Sequence, residues 1–332
     1  MSISNRDSLS ILNRLFKVAA TAKSVLQGLT KQQSQEVLGV SRKNWIINGD
    51  MQVSQRGDYT SATAATNAVY YLDRWKTTVV TVTCTVQDVG GAIRYVGTAG
   101  TGTFGTYYAV EDYASLAGKT VTLSLDMTSN TATAGITLYD GSSHLGVTHH
   151  TGSGNKETLI LTVTVPPTAA ALTVYPKLHG ATGGGNVSVL AGDYIEFTNV
   201  KLEIGDTATP FEVEPYAEVL RKCQRYYYAH ISGVNGKYLA NCSYYSSTQI
   251  QAYIPFPVTM RAVPTLNSTS GASYYTVDYN STTDAFNSLL ITGASTTGAG
   301  VYNATEISGT VGFSGLLKTN STSASVAFEA EL

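Results

Sequence analysis

Charge is what this 332-residue sequence has least of: Asp, Glu, Lys and Arg together make up only 13%, and the formal net charge is −2. That balance gives no global electrostatic case for a nucleic-acid partner or an anionic membrane surface. Cysteine is scarce as well. Cys84, Cys223 and Cys242 form an odd set with wide spacing, which excludes a disulfide framework. They read as reduced and mostly buried, as in a protein folded in a cytosol. No apolar run approaches the ~18 residues that cross a bilayer, so no membrane insertion is expected. The opening MSISNRDSLS lacks a basic stretch followed by an apolar core, so no signal peptide is expected either.

What is present favours strands. Hydrophobic residues reach 43%, too many for a mainly disordered chain, and there are 22 tyrosines and 31 glycines. Val80, Val82, Cys84 and Val86 alternate with threonines. Val121, Leu123, Leu125 and Met127 alternate with polar residues, as do Leu159, Leu161, Val163 and Val165. Period-two alternation marks strands with one buried face. Turn sequences such as Gly90-Gly91, Asp140-Gly141 and Gly183-Gly184-Gly185 separate them, and many short strands at this spacing predict a sandwich or jelly roll. Ile195 and Phe197 are apolar at odd positions, whereas Val200, Leu202 and Ile204 are apolar at even ones. One strand presents both sets to one face only with an inserted residue, so a β-bulge or break is predicted at Thr198-Asn199.

Two stretches break the β pattern. Over residues 8–39, Leu9, Leu12, Leu15, Phe16, Leu26 and their neighbours recur at steps of three and four, predicting helix with one apolar stripe. Such a stripe must be buried on its own chain, in a three-fold bundle or on a larger particle, and Leu12, Leu15, Phe16 and Leu26 are the candidate anchor residues. After Pro215, Val219, Leu220, Cys223, Tyr226 and Tyr227 suit a second helix. The expected architecture is mainly β: two antiparallel β-sandwich or jelly-roll domains joined by a short helix and preceded by an N-terminal α-helical anchor. The boundaries are an anchor over 1–43, a sandwich over 44–215, a hinge helix over 216–228 and a smaller distal sandwich over 229–332. Val326, Phe328, Ala330 and Leu332 alternate to the end, so the chain is expected to end inside a sheet.

Several motifs carry a resemblance. They are Asn48-Gly49-Asp50-Met51-Gln52 with Gln55-Arg56-Gly57, then Asp73-Arg74-Trp75, then Leu202-Glu203-Ile204-Gly205 with Thr209-Pro210-Phe211-Glu212, then Cys223-Gln224-Arg225-Tyr226-Tyr227. In this order the sequence resembles the carbohydrate-binding-like β-sandwich of bacteriophage tail fibres and related virion appendages. The phrase FPVTMRAVPTL (256–266) and the end VAFEAEL (326–332) are similar to the C-terminal part of the same proteins. The likeness covers residues 44–332. It implies a homotrimeric receptor-binding protein of the virion, assembled in the bacterial cytoplasm. Such a protein attaches to a host surface glycan or protein and docks on other tail or capsid proteins through its N-terminal helices. It also implies that a structural calcium is possible, with no residue assignable to it; no other cofactor is expected.

Candidate chemistry is sparse. Gly100-x-Gly102-x-x-Gly105 matches a dinucleotide fingerprint by letter, but strand-like sequence follows it, so a loop is expected. His144, His149 and His150 lie in a Gly/Ser-rich stretch and read as a surface loop, with nothing to fix them as zinc ligands. Glu111, Asp112, Asp126, Asp140, Asp193 and Glu196 could supply a glycosidase pair, although no pattern singles one out. Trp45, Arg56, Asp73, Arg74 and Trp75 read as architecture: a buried Trp with a paired Arg and carboxylate at a sheet end. Tyr244, Tyr245, Tyr274, Tyr275 and Tyr279 sit among Ser, Thr, Asn and Gly. Flat aromatic faces beside small polar groups suit sugars, and they equally suit a subunit interface. The function that follows is non-catalytic attachment to a host receptor. The alternatives are a structural head fibre or connector, and a glycan depolymerase.

Overall fold

The computed structural model describes residues 43–332. The helices expected over residues 8–39, with Leu12, Leu15, Phe16 and Leu26, lie outside the described residues. The first half contains β1 (Thr63–Ala64), β2 (Tyr70–Leu72), β3 (Trp75–Val80), β4 (Cys84–Asp88), β5 (Ile93–Gly97), β6 (Gly100–Ala109), β7 (Thr120–Ser129), β8 (Ala134–Tyr139), β9 (His144–His149), β10 (Lys156–Thr164), β11 (Thr173–Leu178), β12 (Val187–Val189) and β13 (Tyr194–Ile204). One sheet runs β1-β4-β5-β13-β7-β10. The other runs β2-β3-β6-β11-β8-β9, with β12 also on β6. All pairings are antiparallel, and the inward residues of both sheets share one core around Trp75, Tyr95, Phe104, Leu123, Ile136 and Phe197. This is a β-sandwich.

The bulge stands where the parity change places it. Between Thr198 and Lys201 the register of β13 on β7 shifts, and Asn199 takes φ +56°, anchored by its amide on Asp126 Oδ2 at 2.9 Å. Ile195 and Phe197 before it and Val200 and Leu202 after it are thereby all buried. Ile204, at the strand end, is exposed. The alternation over Val80–Val86 is not one strand. It splits at Thr81, whose φ is +59°, into the end of β3 and the start of β4, and Val80 is left exposed. The Gly100–Gly105 run is likewise strand and not loop. A Cβ on Gly102 would strike Val80 and Val82, so packing of β6 on its neighbour excludes side chains there.

A helix, α1 (Tyr216–Gln224), opens after Pro215 as expected, but it is shorter than 216–228. Tyr226 N–H closes on Cys223 O at 2.9 Å, and the next two tyrosines enter a strand paired with the chain's last one. Nor is the helix a free hinge: Val219 and Cys223 are buried against Val53.

The second half adds β14 (Tyr227–Ser232), β15 (Tyr238–Ser246), β16 (Gln249–Pro255), β17 (Thr265–Ser268), β18 (Tyr275–Tyr279), β19 (Thr282–Phe286), β20 (Leu290–Thr292), β21 (Gly298–Asn303), β22 (Ser314–Thr319) and β23 (Ser325–Glu329). A three-stranded sheet, β14-β23-β17, packs on a seven-stranded one, β19-β18-β22-β15-β16-β21-β20, over Tyr244, Ile254, Tyr275, Val301, Leu317 and Phe328. The last strand is thus the middle of its sheet, which places Glu329 and Glu331 beside the junction.

At that junction, Glu331 accepts from Arg74 Nη1 at 2.6 Å and from Arg56 Nη2 at 3.0 Å, and Arg56 also meets Asp73 at 3.3 Å. The two guanidiniums stack on Tyr226 and Tyr227, at 3.6 and 3.7 Å from the ring centroids. Gln55 Nε2 donates to Tyr227 O at 2.7 Å, and Ala330 N–H donates to Tyr226 O at 2.7 Å. Buried charges are tolerable when each has partners, and here every one does.

Candidate functional site

The five tyrosines singled out in the second half do not form one surface. Tyr244 and Tyr275 point inward and are buried: Tyr244 packs on Tyr279 at 4.7 Å between centroids, and Tyr275 stacks on Phe286 at 5.7 Å. The Tyr275 hydroxyl donates to Thr269 O and Ser325 O. Their alternation with polar residues reflects strands with one face in the core, so as binding residues they are corrected. Tyr274 and Tyr279 are half-buried, and Tyr245 alone is open, 68% exposed.

Trp75 is fully enclosed and its indole N–H donates to Asn48 O at 2.8 Å. Trp45 is half-buried, with Lys43 Nζ 4.2 Å from its ring centroid. Arg56, Asp73 and Arg74 are in the junction. Burial pushes the Asp73 carboxyl up to about 6 against the pull of Arg56. Among the described residues no group of three or more His, Cys, Asp or Glu side chains could hold a metal.

A different set of aromatic residues comes together in the first sandwich. In β6 the inward residues are Phe104 and Tyr108, so Tyr107 points outward. In β11, Val174 and Leu178 are inward, and Tyr175 and Lys177 outward. In β8, Ile136 and Leu138 are inward, and Thr137 and Tyr139 outward. Because these three strands are neighbours in the sheet, the outward rings meet. Tyr107 and Tyr175 are 5.5 Å apart between centroids, and Tyr175 and Tyr139 are 6.4 Å apart. The next strand adds His144, 5.1 Å from Tyr139 and 6.1 Å from Tyr175. The result is a ribbon of half-buried rings across four strands, on the side away from the core.

The histidines read as a loop therefore need correction: His144 and His149 belong to β9, and His150 just after it is buried. His144 Nδ1 is 3.1 Å from Thr137 Oγ1, which fixes the imidazole on the face. Burial, then Lys177, lower the His144 pKa below its ordinary value. His149 packs on His179 at 4.5 Å, and burial drives His179 down to about 4. Tyr175 is shifted upward by burial.

The face is recessed. Lys177, Gly105 and Gly135 are buried although they belong to the outward set. The 180–185 loop closes one side, with Gly183 so near Thr137, Val147 and His144 that it has no room for a Cβ. Side by side, rings and hydroxyls of this kind stack on the apolar face of a pyranose and hydrogen-bond its hydroxyls.

The candidate carboxylates are dispersed, and Glu111, Asp126, Asp140, Asp193 and Glu196 each have partners. Glu111 takes Tyr226 and Arg225, Asp126 takes Lys156 and Asn199, and Glu196 takes Arg94. Asp193 accepts from Leu190 N–H. Asp140, at the edge of the ring ribbon, accepts from Ser142 and Ser143, whose backbone N–H groups hold its pKa low. An open groove of 610 Å³ also crosses the outward face of the second half's large sheet, between Asn241, Tyr253, Thr292 and Gly300.

No protein-family model matches the sequence, and no curated protein matches it. Among solved structures the chain is similar to a CBM4 module (15% identity, TM-score 0.29), covering 48% of this chain and 98% of that one. It is similar to the module TmCBM61 in complex with β-1,4-galactotriose (11% identity, TM-score 0.29), covering 49% of this chain and 99% of that one. It is also similar to the enzymatically active domain of tailspike protein 4 of bacteriophage CBA120 (16% identity, TM-score 0.30), over 49% of this chain and only 21% of that one. At such identities and TM-scores these likenesses assign no family, ligand or activity to the chain.

Proposed function

We propose that this chain is a non-catalytic glycan-binding protein of a bacteriophage tail fibre, and that the face of Tyr107, Tyr139, Tyr175 and His144 receives the sugar. The observation that carries the reading is that ribbon: four rings from four adjacent strands, turned away from the core and half-buried in a recessed face. Rings that merely fill a core do not stand on the outward set of a sheet. The attachment role and the virion location come from the sequence resemblance over 44–332. So does a homotrimer, in which three weak sugar sites would act together. The N-terminal segment, residues 1–43, would join the assembly to other virion proteins.

The test is a glycan array read with the wild type and with Tyr175→Ala. Binding to a set of oligosaccharides that Tyr175→Ala loses supports the reading. No glycan bound by the trimer, or binding indifferent to Tyr175→Ala and Tyr139→Ala, contradicts it. The groove beside Tyr253, which is 56% exposed, supports a second reading in which the distal domain makes the sugar contact. Loss of binding in Tyr253→Ala, with Tyr175→Ala unaffected, would favour it. A depolymerase would release oligosaccharide on incubation with polymer, and a head fibre or connector would leave adsorption intact when deleted.

A further inference from the structure

Two lysines of the chain are buried among the described residues, and they differ in one respect. Lys201 faces Glu203 at 3.6 Å and donates to Thr209 Oγ1 at 2.6 Å and to Pro210 O at 2.9 Å. Lys177 is 8% exposed and, among the described residues, has no carboxylate within ion-pair distance. Its ammonium lies 4.5 Å from the centroid of Tyr175. Burial alone lowers its pKa, with no anion to oppose it. A buried cation without a counter-charge is costly, and the cost persists where the charge has a use.

Its setting suggests the use. Lys177 lies directly across from Gly105 of β6 and Gly135 of β8, so no side chain stands beside it on either neighbouring strand. A Cβ at Gly105 would meet the Lys177 stem itself and one at Gly135 would meet His179 Nε2, so that stem and imidazole fill the space the glycines leave, and the ammonium lies beside the Tyr175 ring. Lys76 extends the same face. It pairs with Tyr107 across β3 and β6, its ammonium is 5.3 Å from the centroid of Tyr70, and it too lacks a carboxylate partner among the described residues. On the outward side of the opposite sheet, by contrast, the cations are paired: Lys156 with Asp126 and Arg94 with Glu196. His144 and His179 have lowered pKa values, so at neutral pH they leave the lysines to carry the positive charge of this face.

We infer that the ligand of the tyrosine face is an acidic saccharide, whose carboxylate or phosphate substituent is the counter-ion Lys177 lacks. This rests on the reading of that face as a glycan site and specifies the class of glycan. One sugar ring stacks on Tyr175 while its anionic group meets the ammonium beside that ring. A charge-assisted hydrogen bond in such a recess is worth roughly 10- to 100-fold in affinity.

The experiment measures dissociation constants for matched pairs by calorimetry, on the full chain. The pairs are oligogalacturonides and their methyl esters, sialyllactose and lactose, and a phosphomannan and its dephosphorylated form. The expected result is at least one pair whose acidic member binds 10-fold or more tighter than its neutral partner, with the preference shrinking as salt rises. The pair that responds tells a carboxylate from a phosphate. In Lys177→Met the two members bind alike, while Lys119→Met, an exposed lysine away from this face, keeps the preference. Tyr175→Ala weakens both members. Acid and neutral partners bound equally by the wild type, both weakened by Tyr175→Ala, would overturn the acidic specificity and leave the glycan face standing. A preference that survives Lys177→Met would also overturn it. Binding to no pair, or binding untouched by Tyr175→Ala, would overturn the inference together with the reading it rests on.

Discussion

The junction between the two sandwiches and the tyrosine face of the first are built from the same residue types and solve opposite problems. At the junction Arg56 and Arg74 stack on Tyr227 and Tyr226 and both reach Glu331, so every buried charge has a counter-charge. On the face Lys177 and Lys76 lie near Tyr175 and Tyr70 and have no carboxylate partner among the described residues. Cation and ring together are architecture where a carboxylate closes the set, and where none does they form the anion site proposed above. The difference is made by carboxylates: Glu331 takes both arginines, and Asp73 takes Arg56 as well.

The comparison breaks most readily at the junction. Glu331→Gln removes the negative charge shared by the two arginines and sets an amide N–H2 against one of them, and is expected to cost about 3–5 kcal/mol in denaturant unfolding. A loss below about 1 kcal/mol would mean that the junction is not held by this charge set. The two buried lysines sharpen the contrast. Lys201→Met abandons Glu203 in the interior and should destabilise by about 3 kcal/mol. Lys177→Met removes an unpartnered charge and should leave stability unchanged or raise it by about 1 kcal/mol. Equal losses in the two variants would erase the distinction between them.

Tyr175→Ala should reduce glycan affinity by about 2 kcal/mol, roughly 30-fold, while melting close to the wild type, since the ring is half exposed. Stability should also carry a pH slope. The Asp73 carboxyl stands at about 6 in the folded chain against an ordinary value of 3.8. Between those values the folded state keeps a proton that the unfolded state has released. Its stabilising contribution is therefore complete below pH 3.8 and is lost as pH rises through about 6. Asp73→Asn should lack that decline, and wild-type and variant stability curves that run parallel from pH 4 to 6 would count against the buried, raised carboxyl.

Much of the fold was legible because burial writes itself into strand parity. Val121, Leu123, Leu125 and Met127 are inward on β7, and the change of parity at Thr198-Asn199 marks the bulge in the sequence itself. The motifs that carried the resemblance converge in space. Gln55-Arg56, Asp73-Arg74-Trp75, Arg225-Tyr226-Tyr227 and the final Glu331 meet at the junction, so the resemblance tracked architecture and not the candidate binding face. The face was missed for a physical reason. Tyr107, Tyr139 and Tyr175 are more than thirty residues apart, and the order β6-β11-β8-β9 that joins them is not the order of the chain. One signal was available: in the TVYPKL of β11, Val174 and Leu178 fix the inward parity, which already turns Tyr175 and Lys177 outward. Tyr244 and Tyr275 misled because composition alone does not reveal parity, and both fall on the inward set.

The central claim is that sugar is held by the outward face of β6, β11, β8 and β9. Hydrogen exchange of the full chain, with and without a saturating oligosaccharide found on the array, tests it most directly. The account predicts added protection over residues 103–107, 135–149 and 173–185, with the second sandwich unchanged. Protection confined to residues 241–253 and 290–302, along the groove beside Tyr253, would contradict it.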